Sequence, residues 1–269
     1  MTQFRQRVAE LTGVSEDRLE RLAGGDLSEV LRVPGREGRD LVAKGGAAVV
    51  AEAQMLRSLA AARLPVPSVE AEFGDVLLLE HVPNDEAFSP RAWSDIGRHV
   101  RAMHGNEAEQ YGWASDYALG SVLLDNEQMR DWPIFWSEKR LRAPAQLLDL
   151  PWRKRIDALA ARMREVLPAT PSAALLHGDL WSGNILVKDG KLAALIDPAC
   201  YHGDREVDLA MLCLFGAPDE AFWDAYGPLD PDWAERRSIY QLFPAIVHMR
   251  LFGDAYASLL DRLLSASGS

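Results

Sequence analysis

The sequence predicts an α+β chain in two lobes: a small N-terminal antiparallel sheet with one main helix over residues 1–82, and a larger, mainly helical part over residues 83–269. Three features predict it. Short β-type runs parted by glycine-bearing turns fill the stretch before residue 45, one strong helical run follows, and helical periodicity dominates after the proline of LLLEHVP.

Taken in order, residues 4–22 read as an amphipathic helix running into a strand. Gly24 and Gly25 in LAGGDLSEVLRV, and then PGREGRD, punctuate the runs that follow, so three short strands are expected to lie antiparallel before residue 45. AAVVAEAQMLRSLAAAR, rich in Ala, Leu, Glu and Arg, predicts a helix that ends before LPVPSVE. DVLLLEHVP predicts a buried strand emptying into a linker near Val82 to Glu86, which sets the expected lobe boundary. SPRAWSDIGRHVRAMHG opens with a Ser-Pro cap and first-turn pair, and WPIFWSEKRLRAPAQLL and WRKRIDALAARMREVL are similarly periodic. ALLHGDLWSGNILV and KLAALIDPA interrupt these helices as short β-type runs joined by the turn KDG.

The chain of 269 residues is long enough to bury a sizeable core. With 48% hydrophobic and 26% charged residues it is near the globular average, and no run approaches the roughly 18 apolar residues of a membrane helix. MTQFRQRVAELTG mixes charge and apolar residues where a secretory signal needs an unbroken apolar stretch, so the expected location is the cytoplasm. Cys200 and Cys213 are too few for a disulfide framework and lack metal-ligand spacing; reduced thiols are expected. A net charge of −11 repels a phosphate backbone, which argues against nucleic acid as a partner and favours a neutral or cationic substrate.

In HGDLWSGN, Asn184 follows Asp179 by five positions on what should be a loop between short strands, as in the catalytic loop of kinases. Phosphoryl transfer needs that spacing. The aspartate accepts a hydrogen bond from the attacking hydroxyl, while the asparagine amide oxygen, one loop turn away, ligates a metal on the phosphates. Asp197, in LIDPA, follows a β-type run as the second metal carboxylate of kinases does, with proline replacing the usual phenylalanine. Singly, an aspartate after an apolar strand is more often a turn residue; His177, Asp179, Asn184 and Asp197 together point to an ATP- and magnesium-dependent kinase of protein-kinase-like fold. A metallohydrolase using His177, Asp179, Asp197 and His202 as ligands is the competing reading, and it leaves Asn184 idle.

Upstream, Lys44 ends the third strand and Glu52 lies in the following helix, the arrangement that aims a lysine at the α- and β-phosphates. The glycines of the GGDLS turn would let backbone N–H groups approach phosphate oxygens, though an ordinary hairpin turn has the same composition. The backbone of Glu80 and Val82 is placed to meet the adenine edge.

The strings LLHGDLWSGNILV and IDPACYHGDREVDLAML, with GGDLSEVLRV and GWASDYALGSVLLDNEQMRDWPIFWSEKRL, resemble the fructosamine kinase (ketosamine kinase) family from about Leu22 to Leu251. The resemblance implies a bilobal kinase-like fold and phosphorylation of a sugar hydroxyl of ketosamines, fructosamine or ribulosamine, after which the labile product releases the amine. It implies Asp179 as catalytic base, Asn184 and Asp197 as metal ligands, Lys44 as phosphate lysine and Glu52 as its partner. Trp181, in WSGN, is implied as a face for the substrate, unless it is simply a packing residue, and Asp208 as a brace of the catalytic loop. Some relatives carry a redox-active cysteine in the glycine-rich turn; Asp26 and Leu27 stand here, so redox control through it is not expected. The expected partner is a small-molecule ketosamine or glycated amine bound by a monomer. Kinases of other hydroxylated amines, such as aminoglycosides or choline, and a non-catalytic nucleotide-binding scaffold remain as alternatives.

Overall fold

The computed structural model describes residues 3–22, 29–35 and 38–268. Helix α1 (Gln3–Thr12) precedes strands β1 (Glu20–Arg21), β2 (Val30–Val33) and β3 (Leu41–Gly45), and helix α2 (Val49–Ala61) leads to β4 (Val69–Phe73) and β5 (Val76–Glu80). The five strands form one antiparallel sheet in the order β1-β2-β3-β5-β4. Strand β5, VLLLE, is apolar without alternation because both of its faces are covered. Val76 and Leu78 join Val8 of α1 and Leu31, whereas Leu77 and Leu79 pack with Val49, Ala53 and Leu56 of α2.

Helix α2 belongs to two cores at once. Its Met55 and Leu59 lie in the large C-terminal cluster, the Met55 sulfur accepts the Cys200 N–H at 3.3 Å, and the following Pro65 carbonyl accepts the Leu195 N–H at 2.9 Å.

From Glu80 the chain runs without regular structure to α3 (Pro90–His104). Ser89 caps that helix by accepting the Ala92 N–H at 3.2 Å, with proline in the first turn, as the Ser-Pro pair predicts. Strand β6 (Glu107–Ala108) and the hairpin β7 (Tyr117–Leu119) and β8 (Val122–Leu124) follow. The run expected as one regular helix is α4 (Trp132–Phe135), a wide π-helical stretch at Trp136–Arg142, and α5 (Ala143–Ala145). Pro144 explains the widening, since it has no N–H for the Arg140 carbonyl, and the Ala143 N–H reaches back five residues to Glu138. The next expected helix is also divided, into α6 (Leu150–Ala160) and α7 (Met163–Val166), where the Arg162 N–H turns back to the Leu159 carbonyl.

Strand β9 (Ala173–Leu176) precedes the hairpin of β10 (Ile185–Lys188) and β11 (Lys191–Leu195). The KDG turn works as its composition predicts: Asp189 and Gly190 both take positive φ, 53° and 69°. Strand β12 (Tyr201–Gly203) completes a second sheet, β12-β9-β6, and α8 (Glu206–Leu212), α9 (Glu220–Tyr226), α10 (Trp233–Phe252) and α11 (Ala257–Ala266) close the chain. The α+β class of the sequence reading stands. Among the described residues no helix is long and apolar enough to cross a membrane, and both cysteines are free thiols.

Candidate active site

Strand β9 is buried along its whole length and delivers His177, Gly178 and Asp179 at its end. Gly178 has φ +80°, and a Cβ there would lie 1.9 Å from the Ala199 carbonyl oxygen, so the turn into Asp179 admits only glycine. Asp208, fully buried on α8, accepts the backbone N–H of His177 at 2.7 Å and of Gly178 at 2.9 Å. The loop is thus pinned from beneath by the Asp208 carboxylate.

Asn184 donates to Asp179 twice, to its carboxylate at 2.9 Å and to its backbone carbonyl at 2.8 Å. Burial pushes the Asp179 carboxyl up to about 6, against the lowering pull of the Asn184 hydrogen bond and with a smaller upward push from Asp208. A carboxylate of that strength suits proton uptake near neutral pH. With both amide hydrogens on Asp179, the Asn184 side-chain oxygen is the atom left to ligate a cation.

The second turn is stitched to the first. The Ile196 N–H donates to the Asn184 carbonyl at 3.0 Å, and the Ile196 carbonyl accepts from His177 Nε2 at 3.0 Å. His177 Nδ1 in turn accepts the Asp179 N–H at 3.3 Å. Burial pushes the His177 pKa below its usual value, so both ring nitrogens of a neutral imidazole are used inside the loop. His177 therefore shapes the site without facing a substrate. Asp197 follows with φ +54°, a left-handed conformation that a non-glycine residue adopts at a cost of about 1–3 kcal/mol.

Lys44 on β3 reaches the Asp197 turn. It is buried, and its ammonium pairs with Glu52 at 2.5 Å and with Asp197. Because α2 is tied to the Cys200 segment through Met55, Glu52 and Asp197 are held on one frame, with the lysine between them. Glu80 ends β5 with its N–H on the Ser68 carbonyl at 3.0 Å, and Val82 lies half-buried in the connection beyond. Gly24 and Gly25 lie outside the described residues.

Trp181 is half-buried, and its ring lies over Gly183, where a Cβ would come within 2.3 Å of it. That contact requires glycine at position 183 while tryptophan stands at 181. Two residues that the motifs do not reveal also act here. His104, at the end of α3, bridges the Tyr226 hydroxyl at 2.9 Å and Asp208 at 3.2 Å, burying a three-member chain behind the loop. Nothing local in RAMHG or WDAYG signals that pairing.

Asp197 and Asn184 supply hard oxygen donors, a set that fits magnesium, which keeps most of its shell for water and phosphate. The metallohydrolase reading does not fit. His177 has both nitrogens engaged, His202 stacks on Trp113 with centroids 5.6 Å apart, and among the described residues no group of three or more His, Cys, Asp or Glu gathers as a metal site.

The model of the fructosamine kinase family matches residues 2–267. A probable ketoamine kinase of Enterococcus faecium is 34% identical over 180 residues, which are 63% of this chain and 65% of that protein, so the match spans just under two thirds of the relative. The crystal structure of a candidate fructosamine-3-kinase from Thermobifida fusca is 32% identical, covers 98% of both chains and superposes with a TM-score of 0.85. An aminoglycoside phosphotransferase solved with ADP and hygromycin B, 19% identical over 100% of both chains with a TM-score of 0.69, shares the kinase-like fold. The pinned HGD loop, the paired lysine and the stitched second turn thus sit in a chain that belongs to the fructosamine kinase family.

Proposed function

We propose that this chain transfers the γ-phosphoryl group of ATP to a sugar hydroxyl of a ketosamine, fructosamine or ribulosamine, and that the phosphorylated product then releases its amine. The observation that carries this reading is the Asp179 carboxylate, raised to about 6 and oriented by Asn184, in a family of ketosamine kinases. Asp179 takes the hydroxyl proton as the oxygen forms its bond to phosphorus and the bond to ADP breaks. Lys44, aimed by Glu52, neutralises the α- and β-phosphates, and the backbone of Gly24, Gly25, Glu80 and Val82 receives the rest of the nucleotide. Asn184 and Asp197 would hold magnesium, which would spread the phosphate charge. Trp181 offers its ring to the substrate.

In this reading residues 1–82 bind the nucleotide and residues 83–269 carry catalysis and the substrate. We place the enzyme in the cytoplasm as a monomer, without nucleic acid or membrane as partner; the net charge of −11 supports the exclusion of nucleic acid.

The test is magnesium-dependent ADP release with fructosamines, ribulosamines, aminoglycosides and choline, with the phosphate located by mass and NMR. Turnover of ketosamines alone is expected. Turnover confined to aminoglycosides or choline, or silence across the panel, would overturn the assignment.

A further inference from the structure

A row of aromatic rings leaves the catalytic loop toward the end of α10. Trp181, two residues past Asp179, meets Phe215 edge-on with centroids 5.8 Å apart. Phe215 lies 5.2 Å from His248, which lies 4.8 Å from Tyr256 and 5.6 Å from Phe252. The five rings come from the catalytic loop, the segment after α8, helix α10 and the turn behind it. Chain neighbourhood alone does not bring them together.

Core packing accounts for Tyr256 but not for the two exposed rings of the row. Trp132, Phe135, Trp136 and Phe222 are fully buried, whereas Phe215 is 43% and Phe252 38% exposed. Single exposed apolar residues are ordinary; a contiguous set touching a catalytic loop marks a contact surface. Its first ring is held on the catalytic loop, where Trp181 lies over Gly183. The third is held in orientation by the hydrogen bond between His248 Nδ1 and the Pro244 carbonyl, at 2.7 Å.

We infer that this row is the subsite for the amine-derived half of the ketosamine, and that it favours apolar or aromatic substituents on the substrate nitrogen. The inference rests on the kinase reading above and deepens it. A ketosamine joins a sugar to a secondary ammonium that carries a second group. With the sugar hydroxyl at Asp179, that group must leave the loop, and Trp181 and Phe215 are the surface beside it. Ring faces accept C–H groups and stack with other rings, and the alkyl carbons next to an ammonium carry the partial positive charge that a ring face attracts. Several rings in sequence take substituents of different lengths on one surface.

The experiment compares two ketosamines of the same sugar, one made from benzylamine and one from methylamine, by steady-state kinetics and by calorimetric binding. For the unaltered protein the benzyl compound is expected to show a KM and a Kd on the order of tenfold lower. Phe215→Ala brings the pair to within about threefold, and Phe215→Tyr restores the gap. Phe252→Ala narrows it less, and thermal melting of each variant establishes that it is folded. Equal affinities in the unaltered protein, or a gap that Phe215→Ala leaves intact, overturn the subsite. If both compounds are phosphorylated with equal KM, the subsite fails and the kinase reading stands. If neither is phosphorylated, the kinase reading fails and takes the subsite with it, an outcome told apart from equal KM values by the absence of ADP release.

Discussion

Asn184 gives both hydrogens of its side-chain amide to Asp179, one to the carboxylate and one to the backbone carbonyl, at 2.9 and 2.8 Å. One residue thus orients the carboxylate proposed as the base. Removing the base itself should be more damaging to turnover than to binding. Asp179→Ala is expected to lower kcat by on the order of a hundredfold or more, because general-base contributions run about 10²–10⁴. Its affinity for ATP, measured by nucleotide titration, should stay near that of the unaltered protein. Normal turnover would remove Asp179 from the mechanism.

The pH profile follows from the same group. With the carboxyl raised to about 6, kcat/KM should fall on the acid side with a midpoint near pH 6, as protonation takes away the acceptor. Asn184→Asp places a like charge beside the carboxylate and should move that midpoint upward. A flat profile between pH 5 and 8 would contradict both.

Stability should move the other way. An aspartate whose folded pKa lies above its unfolded value binds more protons in the native state, so the protein gains stability as pH falls from about 6 toward about 4. Above pH 6 the ionised, desolvated Asp179 is a cost to stability. Asp179→Asn should therefore raise Tm at pH 8, and its advantage should shrink to nothing near pH 4. An advantage constant with pH would mean that something other than the charge is responsible.

The reach of the sequence is clearest at these same residues. Strand and helix order were legible because period and turn chemistry agree locally: Ser89 caps α3, and Asp189 and Gly190 turn β10 into β11. The pairing of Lys44 with Glu52 was legible from spacing, since the strand end and the first turn of the next helix have fixed geometry. The pairing of Lys44 with Asp197 spans 153 positions and was not legible in the sequence, where Asp197 reads only as a metal ligand. What the sequence hid depends on tertiary packing. The anchor of Met55 on Cys200, the bridge from His104 to Asp208 and the ring row beyond Trp181 each join segments with no shared local pattern. The π-helical stretch was hidden for a different reason: Pro144 was readable, but its effect depended on which carbonyl it left without a donor.

Lys44 is the next test. Its ammonium lies between Glu52 and Asp197, so Lys44→Met leaves two carboxylates facing each other with an apolar chain between them. The KM for ATP should rise by about tenfold or more, and Tm should fall, because a partly buried charge loses its partner. Glu52→Gln keeps a hydrogen-bond acceptor near the lysine and should do less harm to both. A Lys44→Met protein with unchanged KM for ATP would place the phosphates elsewhere.

His104 tests whether the loop is braced from behind. It touches no reacting atom, yet it is one of three donors to Asp208, the others being the N–H groups of His177 and Gly178 that lead into Asp179. His104→Leu deprives a fully buried carboxylate of a donor and leaves the Tyr226 hydroxyl without its imidazole partner, a loss of about 1–3 kcal/mol in stability. If the brace positions the base, kcat should fall severalfold while the KM for ATP stays, since the displaced atoms belong to the catalytic loop and not to Lys44. His104→Gln, which still offers a donor, should recover part of kcat. A variant that melts early but turns over normally would reduce the chain from Tyr226 through His104 to Asp208 to a packing feature.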